Sequence, residues 1–92
     1  MDDARQHYEE ALKINRQLVE QNPAVYLPDM AMTLSNLGRV DQLQNRMDEA
    51  RQHYEEALNL LQKLSQGDKR YAGDVARVEA SLEKLEKKAP SQ

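Results

Sequence analysis

Histidine, paired carboxylates and serine are the residues of this chain whose types could support chemistry. His53 and Glu56 form an H-x-x-E pair, which on a helix offers two ligands from one face. A metal site needs three or four ligands with supporting hydrogen bonds, and the motif is not H-E-x-x-H. Glu9-Glu10 and Glu55-Glu56 are adjacent carboxylates. Adjacent side chains on a helix diverge by about 100°, so neither pair can converge on one substrate. Ser35, Ser65 and Ser81 have no glycine-flanked elbow and no neighbouring base to activate them. These residues read as solvated helix faces. They predict no catalytic centre, no metal site and no cofactor.

Composition points the same way. Ninety-two residues make at most one compact domain. The absence of cysteine rules out disulfides and thiolate metal sites. Phe and Trp are missing, 32% of residues are charged and 39% are hydrophobic, a balance that suits amphipathic helices rather than a thick globule. A net charge of −3 gives no drive towards DNA or anionic lipid. No apolar run nears the ~20 residues of a membrane span, and no signal peptide opens the chain. The expected setting is cytoplasmic, with neither nucleic acid nor membrane as partner.

The elements come from an internal repeat. Met1–Leu12 reads MDDARQHYEEAL and Met47–Leu58 reads MDEARQHYEEAL, differing only at Asp3 and Glu49. A weaker match follows each copy, YLPDMAMTLSNL at Tyr26–Leu37 and YAGDVARVEASL at Tyr71–Leu82. A unit of about 45 residues marks stacked helical hairpins. Duplication also explains why the histidine and the carboxylate pair occur twice.

Apolar spacing predicts four helices and no strands. The first covers Asp2–Gln21 and ends at Asn22-Pro23. The second runs Pro28–Gln44, with Pro28 in its first turn and Met30, Leu34, Leu37 and Val40 as its stripe. Asn45 takes the left-handed conformation that ends it. The third runs from Met47 to about Gln66, stopped by Gly67, and the fourth covers Gly73–Lys88. Residues 89–92 form a frayed tail. Leu34, Leu37, Tyr54 and Leu58 are expected to share a core.

The stretch Ala31–Leu58 resembles the tetratricopeptide repeat. Leu34 takes that family's first large position, Leu37-Gly38 its Leu-Gly pair, and Ala50, Tyr54 and Ala57 its three positions on helix B. Asp41 stands at the second aromatic position, which predicts a weakened contact, and Gln62 replaces the proline that would end helix B. The run Pro28-Asp29-Met30-Ala31 to Asn36-Leu37-Gly38 is similar to the long bacterial and kinesin-light-chain type. The resemblance implies an all-α solenoid within a single domain. Residues 1–21 are helix B of a partial repeat, 28–66 a full repeat and 73–88 a capping helix with Glu79 and Glu83 at the large and glycine positions. It further implies the C-terminal end of a longer array.

In that family helix A lines a concave groove that holds a partner peptide. The resemblance places Met32, Ser35, Asn36, Arg39 and Gln42 there from the second helix, and Arg77, Ala80, Ser81, Lys84 and Lys87 from the fourth. The expected function is a non-catalytic protein–protein interaction module with an acidic protein or peptide as ligand. The alternative is a structural cap or self-association module. Ala4, Tyr8 and Ala11 on the first helix would then make a homodimer, directly or by exchange of hairpins around Asn22–Leu27.

Overall fold

The computed structural model describes residues 2–88, and the predicted tail at 89–92 lies outside them. Four helices follow one another: α1 (Asp2–Gln21), α2 (Pro23–Leu43), α3 (Met47–Gly67) and α4 (Ala72–Lys88). A short 3-10 turn at Lys69–Tyr71 leads into α4. No strand occurs among the described residues. Each helix packs on the next, so α2 is sandwiched between α1 and α3, and α3 between α2 and α4. The result is a flat stack of 41 × 29 × 17 Å, an all-α repeat architecture.

Helix α2 begins five residues earlier than Pro28, and this corrects the sequence reading. Pro23 occupies its first turn, where a missing N–H costs nothing. Asn22 alone separates α1 from α2, its carbonyl accepting from the amides of Val25 and Tyr26 at 3.2 Å. Pro28 therefore lies inside the helix. Its missing N–H leaves the carbonyl of Ala24 without a helical donor, at an exposed residue where water can serve. The segment expected to act as a loop for hairpin exchange, Asn22–Leu27, is thus helical apart from Asn22.

The other boundaries differ by one residue. Gly67 is the last residue of α3 rather than its stop, and Asp68 ends the helix in an extended conformation. Its side chain accepts from the Arg70 amide at 3.0 Å, starting the 3-10 turn. The Arg70 guanidinium beside it holds the Asp68 carboxyl below the ordinary carboxylate range. Asn45 is left-handed with φ 62°, as its position predicts.

The core forms two apolar groups. Ala31, Ala50, Tyr54, Leu61, Val78 and Leu85 make the larger, on both sides of α3. Met30, Leu34 and Ala57 make the smaller, closed by Leu12 and Val19 of α1. Leu60 packs against both. Leu34 and Tyr54 thus lie in neighbouring groups rather than one.

Asp41 is a residue whose role the sequence reading undervalued. It is fully buried between α1 and α3. Its Oδ1 accepts from Arg5 Nη2 of α1, and its Oδ2 lies 2.5 Å from His53 Nδ1 of α3. Arg5 Nε also donates to Gln44 Oε1 at 2.9 Å. At the position where the family carries an aromatic, this chain carries a carboxylate clamped from two helices. His53, read above as a solvated residue, is one side of that clamp.

Gly38 shows how close α2 and α3 come. A Cβ built there would lie 2.8 Å from Cε1 of Tyr54, so the ring lies against the bare backbone. Gly38→Leu should therefore destabilise the chain by about 1–3 kcal/mol through overpacking, read as a lower urea midpoint. A Gly38→Leu variant as stable as the parent would mean that the ring has room to move.

Candidate functional site

Helices α2 and α4 both pack on α3, and they leave a cleft of about 290 Å³ over it. Its floor is apolar. Ala31 and Val78 contribute from the flanking helices, and Tyr54 and Leu61 rise from α3 between them. Spacing explains the polar lining. Met32, Ser35, Asn36 and Arg39 recur every three or four residues on α2, one step around the helix from its buried stripe. Arg77 and Ser81 do the same on α4.

Met32 is 62% exposed, the largest bare apolar side chain of the lining, whereas its neighbour Met30 is buried at 5%. Ser81 Oγ donates back to the Arg77 carbonyl at 3.2 Å. Arg77 Nη1 lies 3.5 Å from Asp74. Among the described residues no carboxylate pairs with Arg39.

Of the residues predicted for the groove, Met32, Ser35, Asn36, Arg39, Arg77 and Ser81 come together in the cleft. Gln42, Ala80, Lys84 and Lys87 do not line it. Gln42 instead accepts from the Tyr54 hydroxyl at 3.2 Å, and Lys87 pairs with Glu83 at 3.5 Å. Sequence reasoning missed two carboxylates of the lining, Asp29 and Asp74. They are equivalent positions of the repeat at the N-terminal ends of the lining segments, so the offset of 45 residues carried the signal. The cleft is therefore polarised, with acid towards Pro28 and Tyr71 and an unpaired cation at Arg39.

A family model described as Tetratricopeptide repeat matches residues 28–87. The match covers well over half of the chain, and the chain belongs to the tetratricopeptide repeat family. Proteins of this class are in general non-catalytic modules for protein–protein interaction, and the four stacked helices are those of this class. Neither the curated proteins nor the solved structures searched contain a match to the chain. No helix among the described residues is long and apolar enough to cross a membrane.

Tyr54 forms the cleft floor and titrates unlike an ordinary phenol. Burial pushes its pKa up, while the Ser81 hydroxyl and the Arg39 charge oppose that shift. A raised folded-state value means stability that is complete below the unfolded phenol value of about 10 and lost as pH climbs through the folded one. As the pH rises above about 10 the chain should thus lose more stability than Tyr54→Phe. Urea midpoints for both proteins across that rise check it, and parallel profiles would contradict it.

Proposed function

We propose that the cleft between α2 and α4 binds an extended segment of a protein partner, and that the partner places an acidic group beside Arg39. The observation that carries this reading is the unpaired guanidinium at one end of a cleft with an apolar floor. Asn36 and Ser35 offer hydrogen bonds to a peptide backbone running along α2, and Met32 offers an adaptable apolar contact. Arg77 adds a second cation, already shared with Asp74. Asp29 and Asp74 at the other end favour a basic or amino-terminal group there, which fixes the direction of the bound segment.

A second reading is favoured by a different observation. Ala76, Glu79, Glu83 and Glu86 form an exposed stripe on α4. These positions are equivalent to Ala31, Leu34, Gly38 and Asp41, the face with which α2 meets α3. A helix with three glutamates on that face is suited to closing a helical array against solvent. Both roles are compatible, because the cleft and the stripe are different faces of α4.

The binding reading is tested with fluorescent peptides that share one apolar sequence and end in either a carboxylate or an amide. Against the full chain, the carboxylate form should bind more tightly. Arg39→Glu should cost it about tenfold, roughly 1.4 kcal/mol, and flatten its dependence on salt. Affinities that ignore both the peptide terminus and Arg39 would place the contact elsewhere.

A further inference from the structure

The two copies of ARQHYEEAL sit in different surroundings. On α3 the face formed by Ala50, Tyr54 and Ala57 is covered by α2 and buried to 0%, 4% and 0% exposure. On α1 the same residues, Ala4, Tyr8 and Ala11, are only half-buried, and His7 is exposed. Helix α1 meets α2 with another side. Arg5 reaches Asp41, Asn15 meets Thr33 at 2.9 Å, and Leu12 and Val19 pack on the Met30 group. Ile14, one turn beyond Ala11, is 54% exposed.

What covers such a face is visible on α3. Leu34 packs with Ala57, Gly38 lies under the Tyr54 ring, and Asp41 takes His53. Those three residues on α2 have the spacing Leu-x-x-x-Gly-x-x-Asp. From this we infer that α1 is a seat for a further helix with that spacing, its leucine over Ala11, its glycine under Tyr8 and its aspartate against His7. The aspartate is the specific part. The family pattern would put an aromatic there, whereas the histidine on α1 calls for a carboxylate.

The helices of this chain do not supply the occupant. α2 and α3 are already sandwiched, and α4 carries Glu83 where the glycine must be. α1 contains no glycine, so a second α1 cannot reproduce the contact under Tyr8. The occupant is a helix from outside these 92 residues.

The test extends the full chain by a copy of Pro23–Arg46 placed directly before Met1. This reproduces the natural junction of Arg46 with Met47. The urea midpoint of the extended chain should exceed that of the parent. Tyr8→Glu should remove the gain in the extended chain while moving the parent's midpoint little. Asp41→Tyr made only in the added copy should forfeit most of the gain, although it restores the family's aromatic. The inference is overturned if the added residues stay non-helical or give no gain. It is equally overturned if Asp41→Tyr in the added copy keeps the gain, since the seat then does not read a carboxylate. Light scattering on the parent is the third arm. A monomer supports the inference, and a dimer that Tyr8→Glu dissociates would show that a second copy fills the seat.

Discussion

The carboxylate of Asp41 is the constraint on which the stack depends. A carboxylate with no exposed surface costs several kcal/mol unless both oxygens are paired. One oxygen takes Arg5 from α1 and the other takes His53 from α3. No buried side-chain polar atom among the described residues lacks a partner. The backbone of the same residue closes the turn into α3, its carbonyl accepting from the Arg46 amide at 2.8 Å and the Gln44 amide at 3.1 Å. One residue thereby sets the register of three helices. Apolar contacts such as those of Met30 and Leu12 are tolerant of sliding, and a paired buried charge is not.

The repeated segment shows how far environment decides the fate of a sequence. Arg5 is one half of the buried pair, whereas its copy Arg51 reaches only the exposed Asp48 at 3.7 Å. His53 is the other half, and its copy His7 faces solvent. Each copy thus contributes one member of the Asp41 clamp, Arg5 from the first and His53 from the second. The same nine residues serve as a donor to the following helix in one place and to the preceding helix in the other. That dual use is what a stacking unit requires.

Helix positions and the left-handed Asn45 were legible because each rests on local rules of periodicity and backbone freedom, and Gly38 stood out only as the glycine of the family's Leu-Gly pair. The start of α2 was not. Pro28 and Pro23 both satisfy the rule for a first helical turn, and only the partial burial of Tyr26 and Leu27 in the stack decides between them. The part of the lining built from Met32 to Arg39 was legible from helical spacing and the family resemblance. Gln42, Lys84 and Lys87 were not separable from it, because one turn along a helix of this stack carries a side chain past the end of the cleft. Asp41 was invisible as a keystone, since its two partners lie 36 residues before it and 12 after it in the chain. The duplicated Arg and His were the signal, but their roles differ between copies.

A double-mutant cycle between Arg5 and Asp41 tests the dependence on this carboxylate most directly. Arg5→Met leaves the buried Asp41 carboxylate without its cation and should cost about 3–5 kcal/mol, whereas Asp41→Leu leaves Arg5 with Gln44 and Glu9 and should cost less. The double variant should be less destabilised than the sum by about 2 kcal/mol or more, read from urea unfolding of all four proteins. Single effects that add to within about 0.5 kcal/mol would mean that the pair is not coupled and that apolar packing alone sets the stack.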